Sequence, residues 1–268
     1  VLMPGLVNAH AHTAMVVLRG AGENLPVDRW LHEVMWPREA KLTPDDVRAG
    51  MTLGTAELLA NGVTTSLEMY FHGQAMAEAV DAVGIRSIVT APIIEEAQLA
   101  RFGTWQQQLA DMVEMVATWT ASDRVQVGIG PHAVYSTSEA CLRAVAEAAA
   151  ERRMLVHIHV DEQRWEDAAV RDQTGGLGAT EWLEHVGMFA TKVVAAHCVW
   201  SSDSDIELFA RNDVGVSHCP CSNTKHGSGA ARVTTMRDAG VKVGRGTEGP
   251  ASHHPPDMLN EVPAAPRP

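Results

Sequence analysis

Short apolar runs rich in β-branched residues alternate along this chain with longer segments of helical periodicity. The first run, residues 1–12, is strand-like and ends in His10 and His12. Seven more follow, at 63–67, 85–94, 125–129, 155–159, 192–196, 214–217 and 241–246. Between them the pattern turns helical. Thr43 is placed to cap a helix with Pro44 in its first turn and Asp45 and Asp46 at the positive end of its dipole; it stops at Asn61-Gly62. Helices are also predicted over 74–83, closed by Gly84, and over 104–121. Ser136 and Glu139 have capping-box spacing and open an Ala-rich helix to 153. Three more run over 179–186, from an Asp203 cap to 211, and over 230–239.

Regular βα alternation implies a parallel sheet, and eight units imply an α/β fold closed as a (β/α)₈ TIM-type barrel. A chain of 268 residues is long enough for one such domain. The barrel is assigned to residues 1–260. Residues 261–268 turn proline-rich, lose all periodicity and read as a disordered tail or a truncation scar. Residues 19–42, rich in Trp, Pro and Gly, read as a long structured loop and a candidate substrate lid. The chain opens on Val1 in the middle of a strand-like run, which reads as the start of a fragment.

Composition narrows the partners. A net charge of −12 argues against a nucleic-acid backbone and against an anionic membrane surface. No run approaches the roughly 18 apolar residues of a membrane span. Cys141, Cys198, Cys219 and Cys221 form no C-x-x-C pair and read as reduced, buried thiols of a cytoplasmic protein. That leaves a small-molecule substrate as the expected partner, with homo-oligomerisation left open.

In a barrel of this kind the active site lies at the C-terminal ends of the strands. There the sequence places His10 and His12 on strand 1, His132 after strand 4, and His157 and His159 on strand 5 with Glu162 just beyond. His197 ends strand 6, His218 strand 7, and Thr247-Glu248 strand 8. Scattered histidines would not sort this way, and the pattern reads as a catalytic metal site. His10 and His12, at i and i+2 of a strand, share a face. So do His157 and His159, of which both could point inward or one could serve packing. His32, His185, His226, His253 and His254 read as surface groups, and His72 is ambiguous. Three imidazoles and one carboxylate can hold a divalent ion with a position open for water. A second carboxylate is needed to move protons, and a further imidazole can polarise the centre under attack. His10, His12, His159, Glu248, Glu162 and His197 fill that list.

The chain resembles the amidohydrolase superfamily, and within it the 5-methylthioadenosine/S-adenosylhomocysteine deaminases and their chlorohydrolase-like relatives. The likeness runs from Pro4 to about Glu261. It rests on residues 4–15 (PGLVNAHAHTAM), 31–41 (LHEVMWPREAK), 62–65 (GVTT) with 69–71 (MYF), 130–135 (GPHAVY), 157–162 (HIHVDE), 195–198 (AAHC), 217–225 (SHCPCSNTK) and 244–252 (GRGTEGPAS). The resemblance implies that His10, His12 and His159 bind one divalent ion, zinc or alternatively iron. It implies that Glu162 is the proton shuttle, that His197 contacts substrate and water, and that His132 lines the pocket. Glu39, in the segment with Trp36, matches an acid that binds ribose hydroxyls; its other reading is a solvated loop acid. His218 is expected in the pocket wall. The family's fourth ligand and base is an aspartate, here Glu248, whose extra methylene is expected to displace the carboxylate by roughly 1.5 Å. The family also implies a small β-sandwich and a helix closing strand 8 for which this chain has no sequence, so it reads as truncated at both ends relative to the family, with exposed apolar surface on the uncovered side. The implied reaction is hydrolytic deamination of an adenine-type nucleoside such as S-adenosylhomocysteine, methylthioadenosine or adenosine. Two alternatives stay open: a triazine or oxidised-purine hydrolase using the same site, and a truncated, catalytically impaired fragment.

Overall fold

A computed structural model of the chain describes residues 2–23, 25–252 and 257–264. Eight strands supply the barrel: β1 Leu6–Ala11, β2 Val63–Met69, β3 Arg86–Thr90, β4 Val125–Val127, β5 Val156–Val160, β6 Val193–His197, β7 Gly215–His218 and β8 Lys242–Arg245. Neighbours pair in parallel in two arcs, β1-β2-β3-β4 and β5-β6-β7-β8. Short continuations extend β3 and β4 by pairing Pro92–Ile93 with Gly130–Pro131. Parallel bridges Ile129↔Val156 and Ala133↔His159 join the arcs on one side, and Ala11↔Glu248 joins them on the other. The ring is closed, as the βα alternation requires.

The two faces of each strand divide the chemistry. In β5 every residue is buried, yet Val156, Ile158 and Val160 belong to an apolar core shared with the helices while His157 and His159 occupy the other face. The lumen is polar at many of its positions, and some of these groups pair across strands. Asn8 Nδ2 donates to Thr247 Oγ1 at 2.8 Å while Thr247 N donates to Asn8 Oδ1 at 3.1 Å, and Ser66 and Ser87 hydroxyls meet at 3.1 Å. Buried polar groups paired in this way avoid a desolvation penalty.

The longer connections are α1 Pro44–Ala60, α2 Gly73–Val83, α3 Trp105–Trp119, α4 Glu139–Arg152, α5 Arg164–Thr174, α6 Ala179–His185, α7 Asp203–Arg211, α8 Pro220–His226 and α9 Val233–Asp238. Thr43 caps α1 in a capping box with Asp46, as its sequence requires. Elsewhere the caps shift. Ser138, not Ser136, caps α4, because the Ser136 hydroxyl is engaged by His132 Nδ1 at 2.8 Å. Ser202, paired with Asp205, caps α7 in place of Asp203, which becomes its first residue. Helices α5 and α8 stand where no helix is expected, and α9 is shorter than the 230–239 pattern. Residues 27–39 are not a loop. They form helical turns Val27–Arg29, Trp30–Met35 (π-helical) and Trp36–Glu39, whose proline sits in a first turn where it leaves no needed donor missing. The expected tail begins with a helical turn, Glu261–Ala264, whose Glu261 is fully buried and accepts from Cys221 N, so that reading is corrected there. Residues 265–268, His253 and His254 lie outside the described residues. Apolar side chains are exposed at Leu2, Met3, Val7, Leu259 and Val262. Among the described residues no helix is long and apolar enough to cross a membrane, and all four cysteines are free, Cys221 being partly exposed.

Helix α1 packs on the six-residue 3₁₀ helix Thr13–Leu18 that follows the β1 histidines, so closely that a Cβ on Gly50 would stand 2.5 Å from the Ala14 carbonyl oxygen. Gly50→Ala is therefore expected to cost about 1–3 kcal/mol by overpacking. Leu53→Ala, on the same helix at a position 54% exposed, should stay within about 0.5 kcal/mol. Urea unfolding of the two variants checks this pair.

Candidate metal centre

The C-terminal strand tips are held in unusual backbone conformations. Asp161, His197, Cys198 and Glu248 have φ of 50°, 71°, 48° and 62°, in the left-handed region that costs a non-glycine residue about 1–3 kcal/mol. All four lie at strand ends, where the sharp turn aims a side chain over the barrel mouth. Glycine serves the same end at position 246, where a Cβ would sit 2.7 Å from both Cβ and O of His10. Its absence lets β8 pass close to β1. Glu248 N then donates to His10 O at 3.2 Å.

Four imidazoles converge there, each anchored through Nδ1. His12 Nδ1 lies 2.5 Å from Met69 O, and His159 Nδ1 lies 2.7 Å from His132 O. His197 Nδ1 is 3.0 Å from Asn223 Oδ1, and His10 Nδ1 is 2.7 Å from His157 Nε2. Oxygens of carbonyl and amide groups only accept, so His12, His159 and His197 carry their hydrogen on Nδ1 and turn Nε2 inward. His10 Nε2 and His12 Nε2 stand 2.6 Å and 3.0 Å from the same Glu248 Oε2, and His159 Nε2 is 3.3 Å from His12 Nε2. His10, His159, His197 and Glu248 each place a donor atom within 4.8 Å of the other three.

Burial pushes His10 down to about 4 against the pull of Glu248, and His132 down to about 3. It holds His157 and His159 well below the usual imidazole range. His12 is the exception: burial lowers it, but the Glu248 carboxylate more than offsets this and raises it to about 9. Burial also opposes ionisation of Glu248, yet His12 and His10 hold it well below the carboxylate range. Burial keeps His10 and His159 neutral, and their Nε2 electron pairs repel an ionised Glu248 unless positive charge lies between them, a charge that a proton on His12 supplies when no cation is bound. That donor set fits a divalent cation, with the second partners that metal-binding histidines use already in place.

The centre opens into a cavity lined by Met15, Trp30, Trp36, Tyr70, Tyr135 and His132 together with Glu39, Glu162 and His226. Glu162 Oε2 lies 3.8 Å from His197 Nε2, and its Oε1 lies 3.4 Å from the Ser228 hydroxyl. Glu39 is buried rather than a solvated loop acid; burial pushes its carboxyl up to about 7, against the Tyr70 hydroxyl beside it. The structure thus brings His10, His12, His159, Glu248, Glu162, His197, His132, Glu39 and Trp36 together at the barrel mouth. Glu248 Oε2 reaches both β1 histidines. The structure also corrects two expectations. His226 is buried against Trp30 in the cavity wall rather than on the surface. His218 lines an outer groove with Arg237 and Arg245, away from the cavity. Sequence reasoning also missed Asn223, Tyr70 and Trp30. None of these has a spacing signal; their positions follow from α8, the end of β2 and the 27–39 helical segment.

The amidohydrolase family profile matches residues 1–266. The chain is a member of the amidohydrolase family. It is 38% identical over 269 residues to the 5'-deoxyadenosine deaminase of Methanothermobacter thermautotrophicus, covering 98% of this chain and 61% of that protein. It is 39% identical over 264 residues to the 5-methylthioadenosine/S-adenosylhomocysteine deaminase of Dictyoglomus thermophilum, with coverage of 98% and 61%. This amidohydrolase chain therefore spans about three fifths of the length of these curated relatives. Among solved structures it superposes on a zinc-bound adenosine deaminase from Xanthomonas campestris with a TM-score of 0.92 and 33% identity, covering 98% of this chain and 60% of that one.

Since the Glu248 oxygen meets two of the imidazoles at once, Glu248→Ala should abolish retention of a divalent ion through dialysis. The unaltered amidohydrolase chain should keep one. Elemental analysis of both proteins checks this.

Proposed function

We propose that this chain carries the catalytic centre of a zinc-dependent hydrolase that deaminates an adenine-type nucleoside. The observation that carries the reading is the juxtaposition of the converged imidazole and Glu248 donors with a second acid, Glu162, at the floor of an aromatic cavity. Deaminase names among relatives at 38–39% identity support the substrate class, and the zinc in the adenosine deaminase structure supports the metal. Free cysteines support a reducing compartment, the cytoplasm.

His10, His12, His159 and Glu248 are the proposed ligands, with His197 close enough to touch the nucleophile. A bound ion would supply an acidified water near neutral pH. Glu248 would take a proton from water as it adds to the ring carbon bearing the amino group, and Glu162 would give its proton to the adjacent ring nitrogen. The proton held by Glu248 would then pass to the departing amine, and Glu162 would recover the hydroxyl proton as the ring carbon becomes a carbonyl and ammonia leaves. His197, fixed by Asn223, orients the attack. Trp36 and His132 wall the ring, and Glu39 offers a buried carboxyl to sugar hydroxyls.

The test is ammonia release from 5'-deoxyadenosine, methylthioadenosine, S-adenosylhomocysteine and adenosine by zinc-loaded protein. Glu162→Gln should lower kcat by about 10²–10⁴-fold with metal content unchanged. A protein that holds one ion per chain and releases no ammonia from any of the four overturns the substrate assignment.

A further inference from the structure

His157 is the one imidazole on the lumen face of β5 that the proposed chemistry leaves unused. It is fully buried, and its two nitrogens link His10 to β3. His157 Nε2 lies 2.7 Å from His10 Nδ1, and His157 Nδ1 lies 3.4 Å from Thr90 Oγ1. The hydrogens can be assigned outward from Thr90; at the other end His10 Nε2 faces the Glu248 carboxylate at 2.6 Å, a contact that needs a proton or a cation between the two. Thr90 Oγ1 donates its single hydrogen to the Glu68 backbone carbonyl at 2.7 Å. Towards His157 it can then only accept, so His157 carries its hydrogen on Nδ1 and presents a bare Nε2. His10 Nδ1 must supply the hydrogen between the two rings.

We propose that His157 is a positioning residue that holds His10 as the Nδ1–H tautomer, so that the His10 Nε2 electron pair faces the metal centre. Two consecutive carbonyls of β2 then anchor both histidines of β1. Met69 O takes the His12 hydrogen directly, and Glu68 O reaches His10 through Thr90 and His157. The Glu68 side chain ties the same strands once more, accepting from Thr13 N at 3.0 Å and Thr13 Oγ1 at 2.7 Å. A neutral imidazole is the right length for this link: the distance from β5 to the His10 ring is bridged edge-on, with ring centroids 4.8 Å apart at 80°.

The role in metal binding rests on the metal-centre reading, but the tautomer does not, and the two are tested separately. Nitrogen-15 NMR of histidine-labelled protein, metal-free and zinc-loaded, should find His157 as the Nδ1–H tautomer, the minor form of a free imidazole. It should also find a strongly downfield His10 Nδ1 proton that disappears in His157→Leu. His157 found as the Nε2–H tautomer overturns the proposal whether or not the protein binds metal. Zinc affinity, measured by competition with a chromophoric chelator, should fall about 10–100-fold in His157→Leu. It should return to within about threefold of the unaltered protein in His157→Gln, whose amide oxygen can accept where Nε2 did. Wild-type affinity in a folded His157→Leu, or equal weakness in folded His157→Leu and His157→Gln, overturns the proposal. An unaltered protein that binds no zinc refutes the metal centre and leaves the tautomer measurement to decide the role of His157.

Discussion

Each imidazole at the barrel mouth has its Nδ1 bound to a partner fixed by the fold, and the orientation of the whole centre follows from those contacts. Met69 O, His132 O and Asn223 Oδ1 lie 2.5–3.0 Å from His12, His159 and His197, and His157 lies 2.7 Å from His10. Rings held this way are set in tautomer and in direction before any ligand arrives. Their Nε2 atoms meet one another and Glu248 at distances that only a cation or a shared proton makes favourable. Preorganisation of this kind is what a hydrolytic centre needs, since little is left to reorganise when substrate binds.

The barrel supplies the partners as well as the ligands. Met69 lies on β2 beside β1, and His132 lies just past the extension of β4 beside β5, while His157 on β5 reaches across the lumen to His10. Closure of the ring matters for this reason. The Ala11↔Glu248 bridge brings β8 beside β1, and with it the one carboxylate that touches both β1 histidines. The left-handed backbone at His197 and Glu248 is the local cost of that arrangement.

Much of this was legible in the sequence because strand geometry is strict. The i, i+2 spacing of His10 and His12 and the H-x-x-E run from His159 to Glu162 fix faces and strand ends once eight βα units are counted. Failures came where tertiary contacts override local signals. Ser136 has the spacing of a cap, but its hydroxyl is engaged by His132, leaving Ser138 to cap α4. The 27–39 segment has a loop-like composition, yet it is helical because its apolar face packs over the cavity and its proline falls in a first turn. From sequence, His226 reads as a surface group. Its burial against Trp30 depends on that same segment and has no local signature.

The central claim is that these Nε2 atoms and the Glu248 carboxylate share one divalent ion. The most direct test is an anomalous difference map from crystals of zinc-loaded protein, measured at the zinc absorption edge. A single peak about 2.0–2.1 Å from Nε2 of His10, His12 and His159, with a Glu248 oxygen in its coordination shell, is the predicted result. No peak at the barrel mouth, or a peak bonded to Nδ1 atoms instead, would contradict it.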